Sequence, residues 1–392
     1  MTTDPIVIVA AKRTAMGALN GAFATVSATH LGGTVIDSLL EQAQLDPATF
    51  DAVNMGCVLP ASVGQAPARQ AALAGGLPQS VQCTTINKVC GSGMQTIMFA
   101  YDALMTDRYK VIIAGGMENM SRAPHMLERE AIGRLGHAKL LSHMFTDGLE
   151  DAYSGKLMGV YAEATAQKYQ FSRQAQDDFA IASLERAKQA ISSGYFQQEI
   201  CPVIVKTRKT EHVVLEDESP LKARIDRIPQ LKPAFDPAGT VTAANASSIS
   251  DGAAAVILMK QSHAQTLGLS PIAKIHGLSS FSHQPEWFTT APVGAIKQLL
   301  QQVSWSVADV DLFEINEAFA VVTMAAMQDL VIPHDKVNIH GGACALGHPL
   351  GASGARIVVT LLNALNIQGK QRGVASLCIG GGEAIAIAVE RT

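Results

Sequence analysis

Little in this chain offers a handle for nucleic acid, a membrane or a disulfide scaffold. Six cysteines in 392 residues (Cys57, Cys83, Cys90, Cys201, Cys344 and Cys378) form neither a ladder of paired spacings nor a CxxC zinc pattern. Reduced thiols in the cytosol are the simpler reading, so a cytoplasmic protein is expected. A net charge of −4 gives no reason to expect nucleic-acid binding or a basic membrane face. No run approaches the ~20 apolar residues of a membrane span. Pro5 to Ala11 is apolar but too short for a signal-peptide core, and its basic residues, Lys12 and Arg13, follow rather than precede it. That run suits a buried strand. Aromatics are only 5%, so the 48% apolar content is largely aliphatic, as in a packed α/β protein. The length calls for two or three domains.

Strand and helix patterns alternate along the chain. Thr29–Gln44 reads as a helix, Phe50–Gly56 as a strand, and Gln65–Ala74 as a second helix. After Thr84–Ile86, the end of a strand, the apolar positions Met94, Ile97, Met98, Tyr101, Leu104 and Met105 recur at helical spacing. Lys110–Gly116 is a buried strand. This alternation predicts a mainly parallel, helix-covered sheet. Residues 120–247 differ: helices over Met158–Lys168 and Arg173–Ser192, the latter capped by Ser172, are followed by an irregular, proline-rich stretch. They read as an inserted excursion, after which the sheet resumes at Gly252–Met259.

The pattern then begins again. Asp51–Gly56 parallels Asp311–Asn316, and Ser92–Met98 parallels Ser353–Val359, both at an offset of about 260 residues. Gly115-Gly116 parallels Gly381-Gly382 with a few residues inserted. The shared offset predicts two similar α/β halves packed face to face, with a site between them. The divisions are 1–119 with 248–270, 120–247 as the inserted loop domain, and 271–392.

Cys90 sits in the turn between a strand and a helix, flanked by Gly91 and Gly93, which would let backbone approach a ligand. A thiol facing a helix N-terminus feels unpaired N–H groups and the positive dipole end, which predicts a lowered pKa. By the repeat, His348 precedes the corresponding helix of the second half and faces Cys90, where a neutral imidazole can take the thiol proton. Cys378, ending a buried strand before three glycines, is a candidate acid or base. The glycine N–H groups can form an oxyanion hole. Asn316 can hold a water or a carbonyl.

Together the blocks Asn87-Lys-Val-Cys90-Gly-Ser-Gly-Met94, Gly115-Gly-Met-Glu-Asn-Met-Ser121, Gly239–Ser247, Asn316-Glu-Ala-Phe-Ala320, Gly347-His-Pro349 and Cys378-Ile-Gly-Gly-Gly382 resemble the thiolase family, over residues 5–390. The resemblance implies an α/β, thiolase-like fold of two similar helix-covered mixed-sheet halves, an inserted loop domain that binds coenzyme A, and a homodimer or homotetramer. It implies Cys90 as the acylated nucleophile, His348 as its base, and Cys378 as the group that exchanges the C2 proton. Asn316 would position a water for one oxyanion hole, and the N–H groups of Cys90 and Gly380 would form the other. Ser247 would lie near the pantetheine arm, and Met158, Phe235, Phe288, Ala318 and Phe319 would line a short acyl pocket. Acyl-CoA is then the substrate, and no metal or redox cofactor is needed, because a thioester acidifies its own α-protons. The implied activity is acetyl-CoA C-acetyl transfer. Leu157 departs from the family's acetoacetyl-CoA branch, where His is common, which keeps a broader 3-ketoacyl-CoA thiolase as an alternative. A non-catalytic carrier is the other alternative, disfavoured because all four reactive positions are present.

Overall fold

The computed structural model describes residues 4–132, 135–206 and 210–392. The first half supplies strands β1 (Ile6–Thr14), β2 (Ala52–Gly56), β3 (Gln82–Ile86), β4 (Val111–Asn119) and β5 (Ser250–Lys260), with helices α1 (Ala28–Ala43) and α2 (Ser92–Met105). Between β4 and β5 lie α3 (Met158–Tyr169) and α4 (Arg173–Ser192). Ser172 caps α4, its hydroxyl accepting from the Ala175 N–H at 3.1 Å. The second half holds β6 (Ala273–Ser282), α5 (Ala291–Val303), β7 (Leu312–Ile315), α6 (Ala320–Leu330), α7 (Leu350–Ile367), β8 (Arg372–Ile379) and β9 (Glu383–Arg391).

These strands run in the order β7-β8-β9-β6-β1-β5-β4-β2-β3. The two halves join through β1 and β6, whose ladder pairs only Val7 with Lys274 and Ile8 with Ala273. The expectation of a mainly parallel sheet is corrected here. Among these nine strands only β2–β3, β2–β4 and β7–β8 pair in parallel, each joined through helical crossovers. Elsewhere, as between β8 and β9 across the tight Gly380–Gly382 turn, the pairing is antiparallel.

Alternate residues of β1 enter two different cores. Val7 and Val9 pack outward beneath α1, whereas Ile6 and Ile8 face α2 and α7. A strand covered on both faces must be apolar throughout, which accounts for the unbroken run at the N-terminus. The resulting layers are α1, first-half strands, α2 with α7, second-half strands, then α5. By length and composition α7 could cross a membrane, contrary to the reading that no stretch comes close. Every residue from Leu350 to Leu365 is buried, so that apolarity fills the shared core.

The repeat holds in space for two of its three blocks. β2 answers to β7 and α2 to α7. The third is misaligned: Gly115 and Gly116 lie inside β4, while Gly381 and Gly382 form the turn after β8. Shared glycines reflect different needs there, a close backbone approach in one half and positive φ in the other.

Candidate active site

Cys90 lies two residues before α2, and His348 two residues before α7. Both line one cavity of about 540 Å³ between the halves and the excursion. Met158, Phe235, Ser247, Phe288, Ala318, Phe319 and Gly380 line it too, as does Leu157. Cys378 and Asn316 do not reach its wall. Cys378 is fully buried in the cluster that contains Phe288, Ala318 and Phe319, and its thiol is pushed well above the usual range by burial and then by the neighbouring Cys90.

The turn carrying Cys90 is strained and braced. Val89 has φ of +46°, an outlier for a β-branched residue. Its N–H donates to Asn87 Oδ1 at 2.9 Å, and its carbonyl accepts from Ser92 Oγ at 2.7 Å. The flanking glycines serve packing rather than ligand approach. A Cβ on Gly93 would lie 2.9 Å from the Gly351 oxygen of α7, and one on Gly91 would lie 2.5 Å from Ile379 Cδ1.

The expected lowering of the Cys90 pKa is reversed. Burial pushes the thiol up to about 11, outweighing the Gly380 and Cys90 N–H groups that donate toward its sulfur. His348 moves the other way, down to about 3, first through burial and then through the positive charge of Arg356. The resting pair is therefore neutral thiol and neutral imidazole, and the thiolate forms only as the proton moves.

Ser353, which the sequence reading placed in the repeat without giving it a role, settles which ring nitrogen is free. Its Oγ donates its one hydrogen to the Pro349 carbonyl at 2.9 Å, so toward His348 Nδ1, at 2.5 Å, it can only accept. Nδ1 thus carries the proton, and Nε2, which has no partner among the described residues, presents a lone pair. Asn316 likewise has both side-chain amide atoms buried without a partner among the described residues, an unmet demand for hydrogen bonds just off the cavity. Glu118, also missed, accepts from the N–H groups of Val58, Leu59 and Gly351 and so ties the loop after β2 to the start of α7. Burial raises its carboxyl to about 7.

The His348 shift fixes a pH dependence. A base whose folded pKa lies below its unfolded 6.5 contributes stability above pH 6.5, lost progressively as pH falls from there toward about 3. At pH 5.5 the His348 ring should remain neutral with its proton on Nδ1, read from its ¹⁵N shifts. A charged imidazolium at that pH would contradict the geometry.

The first half and excursion match the family model for the thiolase N-terminal domain over residues 6–262, and the rest matches the thiolase C-terminal domain over residues 269–391. The chain belongs to the thiolase family. It is 47% identical to an acetyl-CoA acetyltransferase of Cupriavidus necator, over 98% of this chain and 99% of that one. It is 46% identical to the cytosolic acetyl-CoA acetyltransferase of Mus musculus, over 99% of each. The crystal structure of a Bacillus anthracis acetyl-CoA acetyltransferase superposes with a TM-score of 0.97 at 38% identity, over 100% of this chain and 99% of that one.

Proposed function

We propose that this protein is an acetyl-CoA C-acetyltransferase that condenses two acetyl-CoA to acetoacetyl-CoA and CoA, and runs the reverse thiolysis. The observation that carries the reading is the convergence of Cys90 and the free Nε2 of His348 on one largely apolar cavity. Cys90 Sγ attacks the thioester carbonyl as its proton passes to His348 Nε2. The N–H groups of Cys90 and Gly380 receive the carbonyl oxygen's charge. CoA departs as the thiol, its proton supplied by Cys378, leaving a buried imidazolium and thiolate that offset one another. The Cys378 thiolate then takes the C2 proton of a second acetyl-CoA, whose carbonyl is held by a water on Asn316 together with His348. The carbanion attacks the acetyl-enzyme, and Cys90 recovers its proton from His348. Ser247 lies beside the pantetheine arm. Coenzyme A serves as substrate and product, and the reaction calls for no other cofactor. Cytoplasmic placement accords with the mouse relative's name, and cell fractionation tests it.

Two or four copies are proposed as the working assembly. Strand β3 has a neighbour on one side only, and Phe99, on α2, is 47% exposed. Sedimentation velocity distinguishes dimer, tetramer and monomer.

Acyl length is set by Phe288, packed edge-on against Tyr161 at 6.4 Å and against Phe319 at 6.5 Å. Leu157 on the same wall favours a second reading, a broader 3-ketoacyl-CoA thiolase. A thiolysis assay over chain length decides between them: the primary reading expects C4 to be strongly preferred over C8. Phe288→Ala should raise C6 or C8 turnover relative to C4 by about tenfold, since one methylene accommodated is worth about 1–3 kcal/mol. An unchanged profile would mean that Phe288 does not limit the pocket.

A further inference from the structure

Two loops from opposite halves meet at the Cys90 sulfur, and outside the cavity one ion pair joins them. Lys88, two residues before Cys90, pairs through Nζ with Glu383 Oε2, the residue that follows the Gly380–Gly382 turn. Each end is anchored. The Lys88 N–H donates to Ser92 Oγ at 2.8 Å, and Glu383 opens β9 in register with Ile379. The turn between is held at its far end, where the Gly382 carbonyl accepts from the His283 N–H at 2.8 Å, whereas Gly381, at φ of 95°, stands in open space: a Cβ there would meet nothing within 4 Å. Inside the cavity Gly380 and Cys90 share one wall.

We propose that Lys88 and Glu383 are a positioning pair: their ion pair fixes the distance between the Gly380 N–H and Cys90, the two sides of the acyl oxyanion hole. The assignment rests on the functional reading above. With side chains 26% and 37% exposed, the pair adds little to global stability. Its effect lies in geometry, because a donor displaced from the developing oxyanion stabilises it less. Neither side chain lines the cavity, so neither is expected to touch the acyl group.

The test is single-turnover acetylation of Cys90 by acetyl-CoA, followed by mass spectrometry, in wild type, K88M, E383Q and the charge swap K88E/E383K. Both single variants should acetylate about tenfold more slowly, with the acetyl-CoA concentration at half-maximal rate unchanged and Tm within about 2 °C of wild type. The swap should recover most of the rate. Unchanged rates in the singles overturn the proposal. So does a swap no faster than the singles, or a loss confined to K88M and to substrate affinity, which would mark Lys88 as a contact for coenzyme A instead. If wild type itself forms no acetyl-Cys90, the functional reading fails and the pair's role falls with it; wild-type acetylation with indifferent variants removes the pair alone.

Discussion

Cys378→Ala should form an acetyl-enzyme on Cys90 and exchange labelled CoA into acetyl-CoA, yet make almost no acetoacetyl-CoA. The acetylation half-reaction needs the Cys90 sulfur, the Nε2 of His348 and the N–H groups of Cys90 and Gly380. Without Cys378, the departing CoA thiolate can take its proton back from His348. Condensation has no such substitute. Cys378 is buried directly behind the cavity wall formed by Phe288, Ala318 and Phe319. In the variant His348 has by then given that proton to CoA, and with it the Nε2–H that would hold the second acetyl-CoA's carbonyl, so both the C2 base and that half of the oxyanion hole are missing. Loss of a general base costs about 10²–10⁴-fold, so the two rates should separate plainly. Cys90→Ala should lose exchange and condensation together. A folded Cys378→Ala that exchanges no CoA would refute this division of labour.

The largest effect on stability should come from Arg13. Its guanidinium is fully buried, donating to Glu199 Oε1 at 2.5 Å and to both Asp217 oxygens at 2.7 and 2.9 Å, with the Phe196 ring 4.8 Å away. Glu199 and Asp217 both belong to the excursion, so this one side chain moors it to the end of β1. Arg13→Met removes the guanidinium that both buried carboxylates accept from. Breaking a buried pair in this way costs about 3–5 kcal/mol, a large part of a stability of about 5–15 kcal/mol. Urea denaturation of the folded enzyme measures it, and Arg13→Met combined with Asp217→Leu should regain part of the loss. A midpoint unchanged in Arg13→Met would mean that the excursion is held by its apolar contacts alone.

Arg13 also shows where sequence reading stops. In the sequence it did no more than mark, with Lys12, the end of an apolar run, and its partners stand 186 and 204 residues away. Lys88 and Glu383 were hidden for the same reason: neither carries a local signature, and only the closing of the two halves brings them together. Cys90 and His348 were legible because each lies in a short glycine-marked turn whose spacing repeats, and Cys378 and Asn316 because each stands in a short block shared with the family. Their placement could be anticipated, but not their titration. A helix start argued for an acidic Cys90 thiol, whereas the depth of burial, which no local pattern encodes, raises it to about 11. The contact of Ser353 with His348 escaped notice because Ser353 reads as one more small residue in a glycine-rich helix start. The direction of the sheet was misjudged because helical crossovers were assumed for connections that are long excursions or tight turns.

Cys90 and His348 occupy matching points, each two residues ahead of the central helix of its half. Were the halves separate, identical chains paired about a twofold axis, both points would carry the same side chain. Thiol would face thiol, or imidazole would face imidazole, and neither arrangement joins a nucleophile to a base. Covalent linkage removes that identity constraint, so one polypeptide can keep the near-symmetric frame while its two central turns hold unlike reagents. The strand ladder between β1 and β6 joins the frame, but the single continuous chain is what allows its centre to be asymmetric.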